Sequence, residues 1–294
     1  AIVPRWFHQR RGLASAVSLA GVGLGSLGVA ALSAEFVLRI GWRETMWWFG
    51  IGAMVVLIPI NLLFHRHSAE RIGLVPDGPS TRPATRTAPV KDGATIGDAV
   101  RTPAFWLLSL AVTMTGVCTM TMVVHQTRLL VDMGYSLPLA SLIFGTLGVM
   151  RAIGGLIWGP LSDRIGRATC VVIICGISIV GLALLWLTSL VPAESFALRI
   201  ALLSGYVLTF GIGFNGMAPV YASSVSDKFA GRNLGTIFGL LDLGFGLGSA
   251  VGPRWAGWMF DRYSNYDAVI LGVALGVMIT GLGLWAATRR RGLA

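Results

Sequence analysis

Two charged residues stand out near the middle of long apolar stretches of this chain, Arg151 and Asp242, and each has a chemistry suited to that setting. A charged side chain near the centre of a bilayer costs at least about 2.5 kcal/mol on insertion scales, so one that persists there tends to serve a function. A guanidinium presents paired N–H donors to a planar anion, which makes Arg151 the candidate anchor for a carboxylate. Asp242 can carry a proton or balance that positive charge. The plainer alternative is that the two neutralise each other, as buried charges do. His125 has an imidazole that titrates near neutrality, which suits either proton coupling or a hydrogen-bonded cavity wall. Asn215, set between Gly213 and Gly216, either lines a cavity or bonds helix to helix. Arg151, His125 and Asn215 are therefore the candidate substrate contacts, and Asp242 and His125 the candidates for proton coupling or charge balance.

A second group is the stretch Gly159-Pro160-Leu161-Ser162-Asp163-Arg164-Ile165-Gly166-Arg167, which joins two apolar runs. A carboxylate at a helix end can reach the positive N-terminus of a neighbouring helix or an arginine, in contacts that exist in one conformation and break in another. Gly159, Asp163, Arg164, Gly166 and Arg167 thus form a candidate conformational latch. The alternative is a tight charged loop that sets topology. Catalytic chemistry finds little support: His8, His65, His67 and His125 form no pair on one helix face, so no metal centre, cofactor or enzymatic activity is expected. Gly23-Leu24-Gly25-Ser26-Leu27-Gly28 matches the letters of a dinucleotide-binding turn but lies inside an apolar run. Small residues at helical spacing are better explained by close helix packing, which is the expectation for Gly21, Gly25 and Gly28 and for Gly244 and Gly248. Cys118, Cys170 and Cys175 also fall in apolar runs and are expected to be small core residues.

The elements that must position these groups are membrane helices. Of 294 residues, 54% are hydrophobic and 12% charged, with a mean hydropathy of +0.74, too little polar surface for a water-facing exterior. A bilayer core about 30 Å thick needs roughly 20 apolar residues per helix. Eight such runs occur, at about 13–38, 43–64, 103–127, 137–160, 169–191, 198–223, 233–259 and 267–288. Arg151 lies 8 residues before Gly159 and Asp242 lies 10 after Arg232, which predicts both near the bilayer centre. Sixteen Lys and Arg residues collect on the side of the termini and five on the other, so both termini are predicted to be cytoplasmic. The net charge of +10 has the same origin and does not imply nucleic acid, because the basic residues sit in loops between spans. Residues 65–102 form a polar central loop dividing 1–64 from 103–294. Near its end, Thr95-Ile96-Gly97-Asp98 carries a helix-capping pattern and predicts a short surface helix leading into Trp106. Arg11, Leu13, Gly23 and Gly25 match Arg232, Leu234, Gly244 and Gly246, a repeat of 221 residues suggestive of duplicated halves.

Gly-x-Leu-Ser-Asp-Arg-x-Gly-Arg between two spans resembles the loop motif of the major facilitator superfamily, found there after the second and eighth helices. Trp6-Phe7-His8-Gln9-Arg10-Arg11-Gly12-Leu13-Ala14 is similar to the start of the fifth helix in its monocarboxylate and oxalate/formate antiporter branch. Gly41-Trp42-Arg43 is similar to the start of the sixth, Arg101-Thr102-Pro103-Ala104-Phe105-Trp106-Leu107-Leu108 to that of the seventh, and Gly231-Arg232-Asn233-Leu234-Gly235-Thr236-Ile237-Phe238-Gly239 to that of the eleventh. The resemblance implies an all-α polytopic fold in which these eight spans are helices five to twelve. The last two helices of an N-terminal bundle fall at 1–64 and a C-terminal six-helix bundle at 103–294, with four helices absent and no transport expected of the fragment alone. It further implies that the helices bearing Arg151 and Asp242 are equivalents facing a shared cavity, and that Asp163 faces the fifth helix near Arg11 and Gly12. His125 resembles a histidine common in the branch. Two departures stand out: Gly155 occupies the place where relatives often carry an arginine, and the eleventh helix has no lysine.

These readings converge on a secondary transporter of small organic anions, monocarboxylates first, working by alternating access with protons or by exchange, in a bacterial inner membrane. Rival readings are a transporter of drugs or sugars, a membrane-embedded enzyme, and a receptor that binds without flux.

Overall fold

The computed structural model describes residues 11–64, 95–229, 231 and 233–289, with the side chains of 11–20, 22–24 and 64 outside the description. Among the described residues the secondary structure is helical. The order is α1 (Arg11–Ile40), α2 (Trp42–Phe64), α3 (Ile96–Arg101), α4 (Pro103–Asp132), α5 (Leu137–Ile165) and α6 (Arg167–Leu190). Then follow α7 (Phe196–Ile212), a 3₁₀ turn (Phe214–Gly216), α8 (Ala218–Lys228), α9 (Leu234–Tyr263) and α10 (Asp267–Arg289). Each of the eight apolar runs coincides with a helix or a helix pair, and seven helical segments among the described residues are long and apolar enough to span a bilayer. The chain is an all-α polytopic membrane protein.

Three of the one-residue joints between helices have a plain local explanation. Gly41 and Gly166 stand between helices at φ of +82° and +85°, a conformation that L side chains resist. Thr102 caps α4, its hydroxyl accepting from the Phe105 amide at 3.3 Å, with Pro103 at a position where no N–H is needed. The expected capping box is present: the Asp98 amide donates to Thr95 Oγ1 at 3.2 Å and the Thr95 amide donates to Asp98 Oδ2 at 3.2 Å. Hydrogen bonds from the Thr95 hydroxyl and backbone hold the Asp98 carboxyl below the usual carboxylate range. Trp106 ties the short helix down through its indole N–H to the Val100 carbonyl at 2.9 Å.

Helices α9, α4, α10, α6, α7 and α5 are neighbours in that order, an arc that folds back so that α5 also packs on α4, while its first and last members share no extensive interface. The outer side of α5 packs on α1. Glycines set the closest approaches, as a Cβ on Gly248 would meet the Thr113 carbonyl and one on Gly252 that of Val117, so the seam Gly244, Gly248, Gly252 receives α4 at backbone distance. Cys118, Cys170 and Cys175 are free and buried, as expected.

Three expectations need correction. Gly21, Gly25 and Gly28 meet nothing within 4 Å; α1 instead seats Leu27 against Gly145, where a Cβ would lie 2.6 Å from the Leu27 Cα. Small residues allow close packing, but which face is used depends on the neighbour. The stretch 159–167 is not a loop, since α5 continues through Pro160 to Ile165. The sixth run is not one helix, because Gly213, Gly216 and Pro219 interrupt it.

Candidate functional site

Arg151 occupies the midpoint of α5, fourteen residues from Leu137 and fourteen from Ile165. Its side chain is exposed and forms no ion pair or hydrogen bond among the described residues. Its position on the helix is fixed by its neighbours. Met150 packs on Gly211, and a Cβ on Gly216 would lie 2.7 Å from the Cα of Gly154. Residues three and seven further on, Gly154 and Trp158, point into the same sector as Arg151, and both meet the interruption between α7 and α8. The Trp158 indole N–H donates at 2.6 Å to the Ile212 carbonyl that the interruption leaves without a helical donor. Pro219 then lies against Gly155 and Gly159, 3.7 Å from a Cβ on either. Asn215 is half-buried within this interruption, about one helical turn from Arg151 along α5, and its amide has no partner among the described residues. The structure thus sets the interruption that carries Asn215 against α5 at Gly154, three residues from Arg151.

Asp242 lies on the opposite lip of the arc, on α9, eight residues from Leu234. It is nearer to one end of its helix than expected, about 12 Å in, whereas Arg151 is about 21 Å in from the corresponding end of α5. This difference in depth, with no extensive α5–α9 interface, explains why no ion pair joins them. Asp242 is exposed, and Gly235, Gly239 and Gly246, at spacings of seven, three and four residues from it, meet nothing within 4 Å. Those spacings put all four on one helix face, so a bare glycine surface surrounds a single carboxylate.

His125 sits apart from both. Its Nε2–H donates to the Pro253 carbonyl at 2.9 Å and its Nδ1 stands 3.3 Å from the Tyr266 hydroxyl, so both ring nitrogens are engaged between α4, α9 and the turn before α10. At the same end, the buried Arg199, 8% exposed, donates to the Met133 carbonyl at 2.6 Å and covers the Tyr135 ring with its guanidinium carbon 4.7 Å from the centroid. Burial pushes the Tyr135 phenol up, with Arg199 drawing it back.

The latch gathers around Arg167. Its Nη2 meets Asp163 at 2.6 Å, its Nε meets Asp227 at 3.1 Å, and Nη1 donates to the Ser162 hydroxyl. The expected partner of Asp163, the region of Arg11, has side chains outside the described residues; here the carboxylate is held by Arg167 one turn along its own chain. Arg164 is exposed. Asp227 was not singled out by sequence reasoning, although it is the one carboxylate between the sixth and seventh runs on a side rich in Lys and Arg. Trp158 was missed because a single aromatic in an apolar run carries no signal of its hydrogen bond, and Tyr266 because it lies in the loop between the last two runs. No group of metal-ligating side chains occurs among the described residues.

A sequence profile described as Major Facilitator Superfamily matches residues 1–253. The chain is 26% identical over 254 residues to an uncharacterized MFS-type transporter, YhjX, of Escherichia coli K12, covering 83% of this chain and 56% of that protein. It is 29% identical over 272 residues to the oxalate:formate antiporter of Oxalobacter formigenes, covering 86% and 58%. Against monocarboxylate transporter 13 of Rattus norvegicus it is 24% identical over 289 residues, covering 95% and 62%. The chain therefore spans roughly three fifths of the length of these relatives.

Proposed function

The chain belongs to the major facilitator superfamily, and from that premise we propose that it is part of a secondary transporter that moves small organic anions by alternating access. The observation that carries this reading is Arg151: a guanidinium at mid-helix, exposed, with no hydrogen-bond or ion-pair partner among the described residues. An unpaired cation at that depth is costly unless something anionic visits it. A carboxylate fits, because its two oxygens match the guanidinium fork, and the Asn215 amide in the neighbouring interruption can take a further lone pair. Asp242, on the other lip and paired with no cation among the described residues, carries the coupling proton in this reading. The names of two relatives, an oxalate:formate antiporter and a monocarboxylate transporter, support the anion class. The surplus of Lys and Arg on the side of α3 and Arg167 supports placing that side in the cytoplasm, with the protein in a bacterial inner membrane. His125 serves in this reading as a hydrogen-bonded wall at the outer end.

The test is uptake of labelled short carboxylates by the full-length protein in proteoliposomes, with and without an inward proton gradient. Saturable uptake that Arg151→Ala lowers at least about 100-fold is expected, since a charge-assisted bidentate contact supplies about 3 kcal/mol or more. Uptake of a neutral sugar or a cationic drug that survives Arg151→Ala would replace the anion reading with another substrate class.

A further inference from the structure

Tyr221 lies on α8, one turn beyond the interruption at Gly213–Met217, and its hydroxyl is buried with no hydrogen-bond partner. A buried, unpaired hydroxyl is costly and uncommon, so its acceptor is worth seeking. The ring packs on Phe238 with centroids 5.4 Å apart and planes at 59°. Phe238 precedes Asp242 by four residues, which stacks the two on one face of α9. Depth agrees as well: Tyr221 is seven residues from Lys228 and Asp242 eight from Leu234, about 10 and 12 Å from the same end of the bundle.

Asp242 forms no ion pair among the described residues. Helix α4 presents Ser109, Thr113 and Val117 to the Gly244–Gly248 face of α9. Helix α10 carries Asp267 and Arg289 only at its ends, α3 carries Asp98 and Arg101 beside the start of α9, α8 carries Asp227 and Lys228 at its last turn, and Arg151 belongs to α5. Among the described residues, Tyr221 is the phenol that packs on Phe238, one turn from Asp242 on the same face of α9.

We infer that Tyr221 is the positioning residue for Asp242: its hydroxyl donates to the ionised carboxylate and lets go when that carboxylate takes up the coupling proton. This inference rests on the reading of Asp242 as the proton carrier. The proton adds to a carboxylate oxygen and the phenol keeps its own hydrogen, so nothing else is consumed. The two groups belong to different helices, so making the bond draws α8 towards α9 and breaking it releases α8 about its glycine-rich joint. Proton binding is thereby tied to the interruption that holds Asn215.

The experiment is the pH dependence of Asp242 modification by dicyclohexylcarbodiimide, which reacts with protonated carboxyls in apolar surroundings, read by mass spectrometry on the full-length protein in liposomes. Tyr221→Phe keeps the ring against Phe238 and removes the donor that favours the ionised form. Its midpoint is expected to move up by about one pH unit, about tenfold in proton affinity. Replacing Tyr221 by 3-fluorotyrosine, a stronger donor of nearly the same size, moves the midpoint down and carries the test if the phenylalanine variant folds poorly. Equal midpoints in all three proteins overturn the role of Tyr221 and leave Asp242 as proton carrier. Modification of the wild type that does not depend on pH overturns Asp242 itself, and the inference with it.

Discussion

At the scale of single residues, the structure separates charges that act from charges that hold. Arg151 and Arg199 are both arginines of an apolar protein, yet Arg199 is enclosed and engaged in a structural task. Its guanidinium closes the C-terminal end of α4 through the Met133 carbonyl and lies over the Tyr135 ring. Arg199→Met keeps much of the side-chain volume and loses both contacts. Its folded state is expected to be about 2 kcal/mol less stable, seen as a lower thermal midpoint in detergent, with uptake by the surviving folded protein unchanged. In the sequence alone, Arg199 was one more loop arginine, and only its burial distinguishes it. Arg151 and Asp242 were legible because a charge in an apolar run is visible without coordinates. Their separation in depth was not, since it depends on where α9 begins, which the loop before it obscures.

At the scale of elements, the glycines carry the sharpest lesson. Their abundance in membrane helices was plain, and the seam of Gly244 and Gly248 against α4 agreed with small-residue packing. Gly21, Gly25 and Gly28 share that spacing and contact nothing within 4 Å, because spacing defines a face and not its occupant. Within α9 the two kinds alternate. Gly248 has no room, with an added Cβ 2.9 Å from the Val117 backbone nitrogen as well as striking the Thr113 carbonyl, while Gly246 is open. Gly248→Ala should therefore cost about 1–3 kcal/mol through overpacking against backbone. Gly246→Ala should be neutral or stabilising by up to about 1 kcal/mol through helix propensity. Thermal unfolding of the two variants in one detergent compares them directly, and equal losses would contradict the seam. The broken span at 213–217 was missed for a related reason: apolar periodicity continues across it, and only the packing of Trp158, Gly154 and Pro219 shows where the hydrogen bonds are rerouted.

At the scale of the whole molecule, an arc of six helices places Arg151 and Asp242 on its two lips and the Arg167 cluster at one end. Fold class, the helical runs and the capped surface helix were readable from hydropathy and capping chemistry, as both are local. The partner of Arg167 was not, because Asp227 is sixty residues away in sequence. Breaking the cluster should loosen that end of the arc. Cys170, fully buried three residues beyond Arg167, is a native reporter of this. Arg167→Gln is expected to speed its modification by a small maleimide several-fold, Asp227→Asn to do so less, and the double variant to match Arg167→Gln alone. Unchanged labelling in all three would leave the cluster as a topological marker only. One last consequence belongs to the joint at Gly166, where a single residue separates α5 from α6. So short a link permits no sliding and leaves a swivel. Arg151 stands fifteen residues from the pivot, a lever arm of about 22 Å, so a rotation of about 10° would carry the guanidinium helix position sideways by about 4 Å. A brake at the pivot, where Arg167 grips Asp227, would therefore govern the stroke at mid-membrane without touching what is carried.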